Sequence, residues 1–183
     1  MACAITLAAM ENSALIDAVE ANRTGDVREL IEEYLSWMKS THPDPSKIQT
    51  VLDSQGVAAE LDNLPARYER IWLATVNDEA AGCVMYKRLS ATTAEIKRLY
   101  VRPSGRGHGF GRRLVEMSIE AITAAGYSEV VLDSDPELGT AIAMYERMGF
   151  EYVDAYNDNP ADDAVYMRLS LPNKTTSSTS SSH

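Results

Sequence analysis

The chain has 183 residues, a formal net charge of -10 and a pI near 4.7, with 45% hydrophobic and 24% charged residues. The apolar content suffices for one core and the length suits one domain, while so acidic a surface repels a phosphate backbone and excludes nucleic acid as the main partner. Cys3 and Cys83 lie far apart without metal-ligand or Cys-x-x-Cys spacing, so neither a disulfide framework nor a zinc site is expected, and reduced thiols in a cytoplasmic setting are.

Residues 1–10 are apolar, lack a basic leader and are too short to span a bilayer; within them residues 4–9 read as an edge strand. Residues 12–22 and 26–39 have helical spacing. In the second run Val27, Leu30, Ile31, Tyr34, Leu35 and Met38 form one stripe, and Asp26, Glu29, Glu32 and Glu33 sit near the start, where the helix dipole favours negative charge. His42-Pro43-Asp44-Pro45 breaks this helix, Ser46 can cap a shorter one running toward Asp62, and Leu64-Pro65 ends that segment. Residues 71–76 and 81–89 read as a hairpin around Asn77-Asp78-Glu79. A third strand, 94–101, places apolar residues at Ile96, then Leu99 and Val101, one residue out of alternation; a β-bulge at Lys97 or Arg98 accounts for the slip.

Between that strand and a helix-like run at 112–125 lies Arg106-Gly107-His108-Gly109-Phe110-Gly111. Alternating glycines at this junction let the backbone approach a ligand and turn several N–H groups toward it. The helix N-terminus adds roughly half a positive charge, and Arg106, Arg112 and Arg113 add full ones, so the stretch reads as a seat for a diphosphate. The plainer alternative is a glycine-rich turn with no ligand. A dinucleotide fingerprint fails because its third glycine would fall at Arg112, and the nucleoside-triphosphate loop occurs nowhere in the chain.

After Gly126, a helix stop, Val130-Val131-Leu132 forms the apolar centre of a buried strand at 129–133 that completes a βαβ unit. A helix over 137–148 ends at Gly149, followed by a strand at 150–156, a polar loop at 157–163 and a last strand at 164–171. Residues 173–183, almost wholly Ser, Thr and Lys, form a tail expected to be disordered beyond a single domain at 1–172.

Arg106, Gly109 and Gly111 spell R-x-x-G-x-G. With the Lys97-Arg98-Leu99-Tyr100-Val101 strand before it and Tyr145 ahead of Met148-Gly149-Phe150 after it, the chain resembles the GNAT superfamily of N-acetyltransferases over roughly residues 71–171. Tyr156, Asn159 and Pro160 are similar to a Tyr-x-x-Asn-Pro segment of stand-alone bacterial-type members. The resemblance implies an α/β (α+β) GNAT fold, a central mixed but mostly antiparallel sheet with a splayed parallel strand pair, flanked by helices. It further implies acetyl-CoA as cosubstrate, no metal, no membrane partner, and acetyl transfer by direct attack of a primary amine of a small molecule or peptide. Whether the protein forms a homodimer is left open. A non-catalytic acyl-CoA-binding sensor, an inactive relative, is the alternative reading.

The residues implied for the cofactor are Leu99, Tyr100 and Val101 on the strand, and Arg106, Gly107, His108, Gly109, Phe110, Gly111 and Arg112 on the loop. Unpaired backbone groups at a bulge would suit the amides of a pantetheine arm, and an N–H near residues 99–101 would meet the oxyanion. Tyr145 matches the family tyrosine that protonates the departing thiolate; as plain structure it is a core aromatic sharing a helix face with Ile142 and Met148. An amine that ionises near ~10.4 needs a proton acceptor, and Glu95 fits that position or else pairs with Lys97 or Arg98. Many members carry an Asn seven residues before the helical tyrosine, where this chain has Leu138, so that contact is lost or replaced. His108 adds at most a contact, His42 has no partner in the sequence pattern, and Trp37, Trp72 and Tyr100 read as packed in or near the core, with an edge of the acyl pocket as the alternative for Tyr100. Asp158, Asn159, Asp162 and Asp163 are either a recognition surface for a cation or an ordinary solvated loop.

Overall fold

A computed structural model describes residues 12–172. The elements are strand β1 (Ser13–Asp17), helices α1 (Thr24–Thr41), α2 (Pro45–Ser54), α3 (Val57–Asp62) and α4 (Leu64–Arg67), and strands β2 (Arg70–Val76), β3 (Glu79–Arg88) and β4 (Thr93–Val101). There follow helix α5 (Phe110–Ala124), strand β5 (Glu129–Ser134), helix α6 (Gly139–Arg147) and strands β6 (Glu151–Tyr152) and β7 (Val165–Ser170). The strands form one sheet in the order β1-β2-β3-β4-β5-β7-β6, in which β4 and β5 are the parallel pair and every other pair is antiparallel. This is the mixed, mostly antiparallel sheet flanked by helices that the resemblance implied.

Each face of the sheet buries an amphipathic helix. Val27, Leu30 and Ile31 of α1 pack on Ile71, Leu73, Cys83 and Met85, all fully buried. On the other face Phe110, Leu114, Val115 and Ile122 of α5 meet Val84, Tyr86, Ile96 and Leu132, joined by Tyr145 and Phe150. Removing these side chains from water, at roughly 25 cal/mol per Å2 of apolar surface, holds the layers together. The β2–β3 turn is set by Asn77 and Asp78, both at positive φ (50° and 67°), the backbone that a two-residue hairpin of matching twist requires.

The sheet is cut open in one place. Opposite β3, Cys83 pairs with Tyr100 but Met85 pairs with Lys97, so Arg98 and Leu99 together face Val84. This is the bulge inferred from the broken alternation, with Arg98 at φ 57°. A bulge bends and over-twists its strand. On the far side β4 pairs with β5 only through Thr93, Ala94 and Glu95, so its edge from Ile96 onward has no neighbouring strand.

Several expectations are corrected. Residues 12–22 are no helix: Ser13–Asp17 pairs with β2 as the edge strand, Asp17 Oδ1 stops it by accepting the amides of Val19 and Glu20, and the ladder outweighs a weak helical period. The strand expected at 4–9 lies outside the described residues, as do Cys3 and the tail at 173–183. The cap of α2 is Asp44 rather than Ser46; its Oδ1 accepts Ser46 N–H and Lys47 N–H at 3.0 and 3.2 Å, with Pro45 in the first turn. Leu64-Pro65 opens the single turn α4 rather than ending a helix. The strand expected at 150–156 shrinks to Glu151–Tyr152, and Trp37, expected in the core, is 42% exposed.

Gly105 is fixed by packing. A Cβ there would lie 2.9 Å from the carbonyl oxygen of Ala81, which already accepts Arg102 N–H, and 3.1 Å from the Ala81 side chain. Gly105→Ala is therefore expected to destabilise the fold by about 1–3 kcal/mol in urea titration, whereas Gly139→Ala, where the added carbon meets nothing, should stay within about 0.5 kcal/mol.

Candidate active site

The glycine loop is tied down at both ends and open in the middle. At its start Arg102 donates to Glu33 Oε2 and Glu29 Oε1, each at 2.7 Å, and to Ala80 O at 2.7 Å, clamping the exit of β4 to α1. A 3-10 turn at Pro103–Gly105 follows. Gly107 and Gly109 take positive φ (86° and 69°), and Gly109 is the N-cap of α5 with no side chain capping the helix. Arg113 N–H bonds back to Gly109 O at 3.1 Å, and the amides just ahead of it have no acceptor within the helix. They and the helix dipole are suited to an anion.

Phe110 has a buried ring, 1% exposed, stacked on His108 at 5.3 Å, so its contribution to a ligand is its amide. Arg106 is exposed on the loop, Arg112 donates to Glu116 Oε1 at 2.6 Å, and Arg113 stands over the Phe110 ring.

Where β4 and β5 part, a cavity of about 130 Å3 opens. Ile96, Leu99, Leu132, Leu138 and Tyr145 line it from the sheet and α6, while Tyr34 and Met38 of α1 and Ile48, Val51 and Leu52 of α2 line it from the other side. Tyr145 is 6% exposed and packs on Phe150. Burial, then Tyr34, then Asp133 raise the pKa of its phenol, which therefore stays protonated at neutral pH and able to donate. Leu138 occupies the wall where an Asn was to be expected, and gives apolar contact instead of an amide. Tyr100 packs at a tilt of 35° against Tyr34, ring centroids 5.4 Å apart, on the α1 side of the strand.

Glu95 is not in that cavity. It is 2% exposed and lines a neighbouring cleft with Lys87, Asn157 and Asp158. Its Oε2 lies 3.0 Å from Lys87 Nζ, its Oε1 lies 3.3 Å from Lys97 Nζ and accepts the Tyr156 hydroxyl at 3.0 Å. The ion pair with Lys97 foreseen for a plain structural Glu is thus formed, and the one with Arg98 is not. Lys97 also donates to Asp133 Oδ1 at 2.7 Å, and Asn159 Nδ2 donates to Asp133 Oδ2 at 3.0 Å. Lys97 and Asn159 line both spaces, so one polar chain connects Glu95 with the wall that holds Tyr145.

Nothing in the sequence pattern marked Asp133 or gave Tyr156 a role, and Asn159 was expected either to recognise a cation or to lie in a solvated loop; in the structure Tyr156 bonds the Glu95 carboxylate and Asn159 bonds that of Asp133. Of the other loop acids, Asp163 pairs with Lys47 while Asp158 and Asp162 are exposed. His42, without a partner in the sequence pattern, faces Asp135 Oδ2 across 3.7 Å. Among the described residues no group of His, Cys, Asp and Glu is arranged to hold a metal ion, and no helix is long and apolar enough to cross a membrane.

Residues 26–150 match the model of the acetyltransferase (GNAT) family. An uncharacterised N-acetyltransferase of Schizosaccharomyces pombe is 34% identical over 152 residues, covering 80% of this chain and 87% of the relative. In structure, a GNAT-family acetyltransferase from Staphylococcus aureus superposes with a TM-score of 0.69 at 16% identity over 88% of this chain and 100% of that one. The PaiA N-acetyltransferase of Thermoplasma acidophilum, solved in complex with coenzyme A, does so with a TM-score of 0.65 at 16% identity, covering 87% and 99%.

Arg98 anchors this region. Its Nε and one terminal nitrogen each donate to Glu60 at 2.9 Å, and both side chains are nearly buried. Burial pushes the Glu60 carboxyl up, and the Arg98 guanidinium outweighs it, leaving the group below its ordinary 4.5. A folded-state value below the unfolded one stabilises above 4.5 and ceases to do so as pH falls through the folded value. Stability should therefore decline below about pH 4.5. Glu60→Gln should flatten that decline while destabilising the protein at pH 7 by about 3–5 kcal/mol, because Arg98 is left buried and unpaired; urea titrations across pH measure both.

Proposed function

The chain belongs to the acetyltransferase (GNAT) family, and from that premise we propose that it is an acetyl-CoA-dependent N-acetyltransferase acting on a primary amine. The observation that carries this reading is the parting of β4 and β5 after Glu95 and Val131, which leaves an unpaired backbone edge leading from the glycine loop to Tyr145. The residues present suit the cosubstrate. Uncapped amides at Gly109–Gly111 and the side chain of Arg106 would take the diphosphate, and Gly107 and Gly109 hold φ values that a bulkier residue adopts only under strain. The free edge of β4 at Leu99, Tyr100 and Val101 would bond the amides of the pantetheine arm and bring an N–H to the thioester oxygen.

The amine attacks the thioester carbon directly: a C–N bond forms and the C–S bond breaks. Of the two protons that an ammonium sheds, one reaches the sulfur through Tyr145 and the other leaves through Glu95, by way of the polar chain that joins the two spaces. Release of the thiol balances the reaction. Glu95 acts at one remove from the cavity, and Tyr145 at its wall. The retained, buried tyrosine favours an enzyme over a cofactor-binding sensor.

Two substitutions test the reading. Gly109→Val should weaken acetyl-CoA binding at least about 100-fold in calorimetry, since the backbone at φ 69° and the approach to the diphosphate are both lost. Tyr145→Phe should lower kcat by about 100-fold or more while leaving the Kd for acetyl-CoA unchanged; undiminished thiol release across pH would remove Tyr145 from the mechanism.

A further inference from the structure

The wall of the cavity facing Tyr145 restricts the acceptor. Met38, Ile48, Val51 and Leu52 make one side apolar. The charges opposite are largely paired: Lys47 with Asp163, Arg98 with Glu60, and Lys87 and Lys97 among Glu95 and Asp133, while Asp135 faces His42 across 3.7 Å.

Asp133 is the carboxylate on that wall with capacity for a further donor. It stands on the wall beside Tyr145, its side chain is 8% exposed, and it already binds an ammonium, that of Lys97, at 2.7 Å. Asn159 fixes its other oxygen, and Asn159 is itself fixed by a turn in which its Oδ1 accepts Ala161 N–H at 3.0 Å. A carboxylate has about four lone-pair positions, so one on each oxygen remains for a further donor. The field of Asp133 reaches the Tyr145 phenol, where that of Glu95 is not among the influences.

Resting on the acetyltransferase reading, we propose that Asp133 seats the ammonium group of the acceptor, that Asn159 positions Asp133, and that the acceptor is a compact alkyl- or arylalkyl-ammonium. The apolar wall takes its carbon body. A volume of about 130 Å3 equals roughly four waters at ~30 Å3 each, room for a small body rather than a folded partner.

The test uses the full chain with acetyl-CoA and two probe amines, 2-phenylethylamine, protonated at neutral pH, and aniline, which is not. Asp133→Asn should raise the KM for 2-phenylethylamine by about tenfold or more, the worth of a charge-assisted hydrogen bond. It should lower kcat/KM for 2-phenylethylamine at least about tenfold more than kcat/KM for aniline, which brings no charge to that seat, and leave the Kd for acetyl-CoA within about twofold of the wild type. Asn159→Ala should act in the same direction with a smaller effect, which guards against a fold defect particular to Asp133→Asn. Equal losses for both amines, or an unchanged KM for 2-phenylethylamine, would overturn the proposal. If the wild-type protein binds acetyl-CoA but neither binds nor acetylates 2-phenylethylamine, the ammonium seat is refuted and the acetyl-CoA reading survives. If acetyl-CoA itself does not bind, that reading fails, and the seat is decided by calorimetry of 2-phenylethylammonium against wild type and Asp133→Asn: binding lost in the variant upholds it, and no binding or equal binding overturns it.

Discussion

A non-glycine residue held in the left-handed region of the backbone, in the middle of the central strand, is the constraint from which the site follows. Arg98 at φ 57° takes Arg98 and Leu99 out of register with β3, and β4 has already parted from β5 after Glu95. Such a backbone costs about 1–3 kcal/mol, and it persists only where its surroundings over-determine it. Here they do: Nε and one terminal nitrogen of Arg98 donate to Glu60 from α3, and the same terminal nitrogen donates to Gln55 at the end of α2. The helices after α1 therefore have a duty besides covering the sheet. They grip the side chain at the bulge, and they wall the cavity that the opening creates.

The same bulge explains how an acidic chain can bury so many ionised groups near one point. Regular alternation would send Lys97 and Arg98 to opposite faces, whereas the bulge lets both reach carboxylates that approach from elsewhere, Glu60 on α3 and Asp133 on β5. A buried ion pair is at best a break-even arrangement against apolar packing, and removing one partner is what destabilises strongly. Glu95, Lys97, Asp133 and Lys87 are therefore better understood as a polar seam retained for what it borders than as a source of stability. It lies between two spaces that an apolar core would seal from each other.

Much of this was legible in the residues themselves. The slip from Ile96 to Leu99 disclosed the bulge because side-chain alternation has a strict period of two, and the glycines at 107 and 109 disclosed the loop because their φ values are ones other residues avoid. The apolar stripe of α1 emerged for the same reason, a long run with one period. What stayed hidden depends on contacts between distant parts of the chain. Ser13–Asp17 is a strand only because β2 offers a ladder, and a short run has too few residues for its period to resist. The seam was invisible because Arg98 and Glu60 are 38 residues apart, Glu95 and Tyr156 61, and Asp133 and Asn159 26. Nothing local marks Asp133 as more than the polar end of a buried strand.

The separation of Glu95 from Tyr145 has a chemical consequence. A proton donor and a proton acceptor in contact would bond to each other, and the donor would be unavailable to the thiolate until that bond was broken. In this protein the hydroxyl that bonds Glu95 is Tyr156, and Tyr145 is left against Phe150 at the wall of the other space. Two tyrosines thus face two carboxylate-bearing regions on either side of the parted strands, and Lys97, held between Glu95 and Asp133, is the group common to both. Because Lys97 is charged and bonded on both sides, a cation bound at Asp133 would be felt at Glu95 through a shift in how Lys97 divides its bonds. In the proposed reaction the gap in the sheet would separate acid from base, and the lysine that spans it would couple the charge on the acceptor to the carboxylate assigned to its proton.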